Sequence, residues 1–166
     1  MFKGLFGAAR QAKHDDAELG KGVWRRAHDR FRRGLDRFHQ MLEGLEAAGA
    51  EQTPAGARAA ESWGAMVAVA DGLAELLPEV RRIAAEAHLA APSEGMEIPA
   101  GKGGLFNDVH RELSRAGNAL AAASEALALV RLGAGEASGV ELKAQLVHQH
   151  VNRAAGLLNT GTSTHG

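Results

Sequence analysis

The chain lacks cysteine and tyrosine altogether, and only 4% of its residues are aromatic. Without cysteine, the protein cannot form disulfides, thiolate nucleophiles or cysteine metal sites. No apolar run approaches the roughly 20 residues that a transmembrane helix needs, so we expect no transmembrane segment. The first 14 residues also lack the apolar core of a secretory signal, because Gly4, Gly7 and Arg10 interrupt it. We therefore expect a cytoplasmic protein.

An excess of charge of either sign is also missing. The formal net charge is −1 at pH 7 over 166 residues, so the chain is no polycation and we expect no specific nucleic-acid binding. What the chain does have is abundant alanine and 21 glycines. Alanine favours helices and glycine marks their ends. Composition therefore predicts an all-α fold.

The stretch 24–45 nearly repeats itself every seven residues. One heptad position holds Trp24, Phe31, Phe38 and Leu45, and the position four residues later holds His28, Leu35 and Leu42. Residues that alternate three and four apart share one stripe of a helix and face a partner helix. This coiled-coil-like seam predicts a long first helix with a buried stripe.

Similar spacings recur later in the chain and define the predicted architecture. We expect helices at about 15–48, 54–89, 108–132 and 139–159. The second is expected to kink near Pro78, and two helices that meet there are the alternative. Short links within each pair indicate two αα-hairpins, packed as an up-down-up-down four-helix bundle.

The segments outside these helices carry further expectations. Residues 1–14 should form an amphipathic or flexible segment, and 160–166 a flexible tail. The connection 91–107 is long for a compact bundle, which suggests either a mobile loop or a functional one. Because the first two helices are longer than the others, their extra turns could be covered by a second subunit. A homodimer is therefore one hypothesis.

Helical bundles often hold metals or haem, so the histidines need weighing. We expect no Asp or Glu at an inward position of any helix, and the chain has no Glu-x-x-His pair, so a carboxylate di-metal site is not expected. His28 lies on the first seam, and its favoured interpretation is a hydrogen-bonded core histidine. The alternative is a metal or haem site that uses His28 with His150 or His148. We predict no cofactor.

Catalytic motifs are equally sparse. No serine has the glycine context of a nucleophile elbow, and the helical serines should lie at caps or outer positions. An enzyme site closed by the 91–107 loop is the remaining alternative. It would use Lys102, Asp108, His110 and Arg111. We predict that the protein is not an enzyme and has no catalytic residues.

An arginine stripe is the best candidate for a binding surface. It lies opposite the first seam and consists of Arg26, Arg30, Arg33 and Arg37. Four guanidiniums along about 16 Å of helix could meet phosphates, anionic lipid or an acidic helix. The alternative is a solvated face, partly paired internally because Asp29 and Asp36 lie at helical spacings from Arg25, Arg32 and Arg33.

The N-terminal residues Phe2, Leu5 and Phe6 would share one side of a helix, with basic neighbours. Such a patch can lie on an anionic membrane, or it can pack on the bundle or fray. Together, the patch and the arginine stripe predict a non-enzymatic interaction or scaffold protein. Its partner would be a protein or an anionic surface, which allows a membrane-peripheral location.

Overall fold

The computed structural model describes residues 2–98 and 104–163. This part of the chain contains six helices: α1 (Phe2–Leu19), α2 (Val23–Gly49), α3 (Pro54–Ala74), α4 (Leu76–Ala90), α5 (Leu105–Arg131) and α6 (Ala137–Ser163). No strand occurs within it. The fold is therefore all-α, as predicted. The predicted number of four helices is wrong, because both long helices of the first half are divided.

The predicted first helix, 15–48, is divided between α1 and α2. Gly20 has a φ of +73°, a left-handed conformation that ends a helix and that glycine adopts without strain. A Cβ atom placed at Gly20 would clash with the imidazole of His88, so the close approach of α4 also requires glycine. Asp15, at the predicted start of this helix, lies inside α1 and is buried.

The predicted second helix, 54–89, is divided at Glu75, three residues before Pro78. Proline has no N–H, and its ring crowds the carbonyl four residues earlier, which disrupts the turn before it. Glu75 nevertheless keeps a right-handed helical backbone, and its N–H donates to Asp71 O at 3.1 Å. The proline therefore interrupts the helix without reversing the chain.

The last two helices are longer than predicted. α5 begins at Leu105 rather than at 108, directly after Gly104, whose φ is +72°. α6 extends from Ala137 to Ser163, so part of the predicted flexible tail is helical. Residues 164–166 lie outside the described part of the chain.

The helices pack around a single core. α2 contacts α3, α4 and α5, whereas α6 contacts α5, α3 and α4. Arg30 of α2 lies beside Gly117 of α5, and Gly44 lies beside Arg131, so α2 and α5 run parallel. Glu112 of α5 instead contacts His150 of α6, in an antiparallel pair. The end of α4 and the start of α5 both lie beside Trp24, at the same end of the bundle.

The predicted seam of the first helix forms much of this core. Its seven residues are all buried, and Trp24, Phe38 and Leu45 are completely inaccessible to solvent. Trp24 also donates its indole N–H to Ala91 O at 2.9 Å, which ties the start of α2 to the end of α4. Burying such side chains contributes roughly 1.5–3 kcal/mol each.

Five polar residues are also buried in the described part of the chain: Asp15, His28, Ser93, Glu112 and Ser124. Glu112 contradicts the expectation that no inward position carries an acid. It lies beside the seam of α5, where it meets His150 and Arg115. Ser124 contradicts the expectation that helical serines lie at outer positions, because only 1% of its surface is exposed.

Candidate anion-binding face

The predicted arginine stripe is exposed along α2. Arg26, Arg30, Arg33 and Arg37 all lie at the surface, while the seam behind them is buried. This separation follows from the heptad spacing, which places the two sets on opposite sides of the helix. The stripe lies on the side of α2 that faces solvent next to α5.

Two of these arginines are anchored by neutral acceptors. Arg26 donates to Gly95 O in the segment after α4, and Arg30 donates to Ser114 O and to the side-chain oxygen of Asn118 on α5. A carbonyl or amide oxygen orients a guanidinium but does not neutralise its charge. Both side chains are therefore positioned on the surface with their positive charge uncompensated.

The other two arginines of the stripe, Arg33 and Arg37, form no ion pair within residues 2–98 and 104–163. Asp29 is engaged by Arg25 at 2.9 Å and by Arg32 at 3.9 Å. Asp36 lies within ion-pair distance of no arginine in the same part of the chain. The predicted pairing of Arg25 and Arg32 with Asp29 is confirmed, whereas that of Arg33 is wrong. The stripe therefore keeps its full charge.

The structure adds a fifth arginine that the sequence patterns did not reveal. Arg131 of α5 lies across Gly44, because a Cβ atom at Gly44 would be 2.7 Å from its Nη1. Gly44 continues the seven-residue series of Arg30 and Arg37 along α2. The guanidinium of Arg131 thus covers the place where the next member of the stripe would project. We call these five arginines the arginine face.

Several arginines elsewhere in the molecule are paired with carboxylates, although the exposed Arg10, Arg58 and Arg153 form no ion pair among the described residues. Arg25 contacts Asp16 at 2.7 Å, Arg81 contacts Asp15 at 2.8 Å, and Arg82 contacts Glu79 at 2.6 Å. Glu79 and Arg82 reinforce each other, since their hydrogen bond lowers the pKa of the carboxyl and raises that of the guanidinium. The arginine face differs from these pairs in having no acidic partners among the described residues.

The C-terminal end of α1 is held by one of these ion-pair clusters. Arg81 of α4 binds both Asp15 and Glu18, and Gln11 donates to Asp15 at 2.8 Å. Burial acts to raise the pKa of Asp15, but the hydrogen bonds from Gln11 and Arg81 and the nearby charges outweigh it, so the pKa is lowered. Asp15 is therefore held as a carboxylate that joins α1 to α4.

The N-terminal part of α1 has a different environment. Residues 6–14 are all exposed, and Phe6 leaves 66% of its surface in solvent. The side chains of Phe2 and Leu5, which the sequence places beside Phe6, lie outside the described part of the structure. Of the predicted patch, then, only Phe6 is shown as exposed.

The candidate metal-binding histidines have separate surroundings. His28 is buried, with Nδ1 2.9 Å from Asp29 Oδ1. His150 Nδ1 lies 2.7 Å from Glu112 Oε2, whereas His148 lines a cavity between α3 and α6. Burial acts to raise the pKa of Glu112, but hydrogen bonds from His150 and Arg115 lower it overall. In the described residues no group of three or more His, Asp or Glu could hold a metal ion.

The residues of the candidate enzyme site do not converge either. Lys102 lies outside the described residues, and Asp108 pairs with Arg111 on the surface at 3.2 Å. His110 packs edge-on against Trp24, with ring centroids 5.8 Å apart. Burial, and then the positive charge of Arg26, lower the pKa of His110. This imidazole therefore favours the neutral form and belongs to the packing around Trp24.

Ser93 holds the segment after α4 against the start of α2. Its Oγ accepts a hydrogen bond from Val23 N at 3.1 Å and donates to Glu97 O at 2.8 Å. The first amides of a helix need such acceptors, and the preceding residue, Gly22, has no side chain to supply one. Local patterns in the sequence do not indicate this cap, because its two parts are 70 residues apart.

Comparison with known proteins adds one assignment. No curated protein and no solved structure matches the chain. In the part of the chain that the structure describes, no helix combines the length and apolarity needed to cross a bilayer. One family model covers residues 9–148, which is most of the chain and includes the arginine face. The chain therefore belongs to the family described as protein of unknown function (DUF3631).

Proposed function

We propose that this protein is a non-enzymatic helical interaction module that binds an anionic partner through its arginine face. The observation that carries the proposal is the clustering on one side of the molecule of five arginines that have no carboxylate partner in the described residues. Arg25, Arg81 and Arg82 are neutralised by carboxylates of the same chain, whereas the five arginines of the face have no such partner in the described residues. Cytoplasmic residence is part of the same proposal.

The geometry suits an extended partner. From residue 26 to residue 44, α2 rises about 27 Å, which is the length over which the five guanidiniums are distributed. A guanidinium can bind a carboxylate or phosphate through two parallel hydrogen bonds. Each exposed pair contributes only about 0.2–1 kcal/mol, so useful affinity requires several pairs at once.

The chemistry of the face limits the class of partner. Bases of single-stranded nucleic acids bind by stacking on exposed aromatic rings, but the aromatic residues of α2 are all buried. The arginine face is better matched by rows of carboxylates on an acidic helix or of phosphates on an anionic lipid surface. Such binding should weaken as salt rises, because exposed charges are screened beyond about 10 Å at 0.1 M ionic strength.

The test replaces two unpaired arginines and compares the result with a matched control. Arg33→Gln plus Arg37→Gln removes two charges from the face, and Arg58→Gln plus Arg153→Gln removes two exposed charges from other helices. Binding to poly-glutamate and to vesicles that contain anionic lipid is measured at low salt. We expect the first variant to lose roughly two- to thirty-fold in affinity and the control to lose little.

Two results would overturn the proposal. One is wild-type protein that binds neither probe at low salt. The other is an equal loss in both double variants, which would mean that overall charge, and not the arginine face, determines binding.

A further inference from the structure

The contact between α3 and α6 leaves an open groove. A cavity of about 380 Å³ lies between the two helices, lined mainly by small or apolar residues: Ala65, Ala68, Val69, Gly72 and Ala144, with Glu141, Gln145 and His148 at its edge. A second cavity of about 200 Å³ lies one turn further along both helices, where Glu61 and Glu136 are exposed beside Arg58. Small residues allow another helix to approach closely.

The same chain carries a helix with a face that packs on nothing in the described structure. Residues 6–14 of α1 are exposed, and a Cβ atom placed at Gly7 would meet nothing within 4 Å. Most helical stability in proteins comes from packing an apolar face, so we expect this uncovered part of the 18-residue helix to pack on another surface. The C-terminal end of α1 is fixed to α4 and α2 of its own chain by Arg81 and Arg25.

The exposed part of α1 and the groove are complementary in size and charge. α1 offers Phe6 and three alanines for the groove, and its charged residues before His14 are basic, including Arg10 and Lys13. The groove offers small side chains and three carboxylates, those of Glu61, Glu136 and Glu141, against the single guanidinium of Arg58. We infer that α1 of one copy docks into the α3–α6 groove of a second copy, and that the exchange is reciprocal.

This dimer is independent of the arginine face, which lies between α2 and α5. The closest packing would occur where Ala9 meets Ala68 and Gly72, since bulkier side chains there would separate the helices. The pairs between basic α1 and the acidic groove would set the register and exclude docking of like-charged segments.

Two charge-reversed variants of the whole chain, measured alone and as a mixture, test the inference. Variant A carries Arg10→Glu and Lys13→Glu, and variant B carries Glu61→Lys and Glu141→Lys. We expect wild-type protein to dimerise in light scattering over a range of concentrations, and each variant alone to be monomeric because its own helix and groove repel. An equimolar mixture should dimerise again, since every helix then meets a groove of opposite charge.

Two control variants distinguish docking of α1 from a general effect of surface charge. Glu43→Lys plus Glu46→Lys reverses two exposed acids away from the groove and should leave dimerisation unchanged, as should Arg33→Gln plus Arg37→Gln. Circular dichroism checks that each variant is folded. A monomeric wild type, an A–B mixture that stays monomeric, or single variants that dimerise like wild type would overturn the inference. Monomeric wild type that binds vesicles through α1 would assign the helix to a membrane instead.

Discussion

Arg30 of α2 lies across Gly117 of α5, so closely that a Cβ atom at Gly117 would be 3.2 Å from its Nη1. The relationship is mirrored further along the same two helices, where Arg131 of α5 lies across Gly44 of α2. Because each glycine has no side chain, an arginine of the neighbouring helix can lie against its backbone. Both guanidiniums are thereby positioned without being neutralised.

Replacing a glycine beneath an arginine should weaken partner binding, whereas replacing a glycine elsewhere should change only the stability of the fold. Gly44→Ala would place a methyl group 2.7 Å from Arg131 Nη1 and move that side chain, whereas Gly64→Ala meets nothing within 4 Å. Alanine is the better helix former by roughly 1 kcal/mol, so thermal unfolding should show Gly64→Ala stabilised by about that amount. Poly-glutamate affinity should fall only in Gly44→Ala. Equal affinities in the two variants would show that the position of Arg131 is unimportant.

The histidine beside Trp24 should titrate unusually low. NMR titration of His110 should give a pKa below its ordinary value of 6.5, because burial and then Arg26 disfavour its charged form. In Arg26→Gln the pKa should rise but stay below 6.5, since burial is the larger cause. As the pH falls below 6.5, the unfolded chain takes up this proton first, so the fold loses stability down to the folded pKa. A His110 pKa at or above the ordinary value in the wild type would contradict this prediction.

A single hydroxyl in the core should be dispensable. Ser124 is buried, and its Oγ makes no hydrogen bond in the described part of the structure. Removing an unsatisfied buried polar group is favourable, so Ser124→Ala should raise the free energy of unfolding by about 1 kcal/mol. The exposed Ser138→Ala serves as the comparison. A destabilised Ser124→Ala would show that the hydroxyl has a partner.

The attachment of α1 should depend on one buried carboxylate. Asp15→Asn removes the charge that Arg81 contacts at 2.8 Å, and should cost about 1–3 kcal/mol at neutral pH. Hydrogen exchange should then speed up in α1 but not in α5. Because the pKa of Asp15 is lowered below 3.8, its contribution is present above that pH and disappears as the pH falls through the folded value. Exchange in α1 that matches wild type would contradict the attachment.

Local periodicity in the sequence was sufficient to predict the helix faces. The seam of Trp24, Phe31 and Phe38 and the exposed stripe of Arg33 and Arg37 follow directly from spacings along one helix, and the structure shows both. Glycines outside the expected linkers were harder to interpret. Gly20 ends a helix in a left-handed conformation beside His88, whereas Gly44 lies inside a helix where Arg131 crosses it.

Features that depend on distant residues could not be predicted in this way. The packing of α5 beside α2 brings Arg131 to the arginine face. The end of α4 lies beside the start of α2, which brings Ser93 to the first amides of α2. Glu112 is buried because His150 and Arg115 satisfy its carboxylate, and nothing in the local spacing of α5 reveals that His150 lies opposite.

The most direct test of the central claim is an NMR titration of labelled wild-type protein with poly-glutamate, followed through the glycine amides. Gly44 and Gly117 lie beneath the arginine face, whereas Gly64 of α3 and Gly139 of α6 lie away from it. We predict that the first two signals shift in a saturable, salt-sensitive manner while the other two stay in place. Shifts at Gly64 and Gly139 with none at Gly44 and Gly117 would contradict the claim.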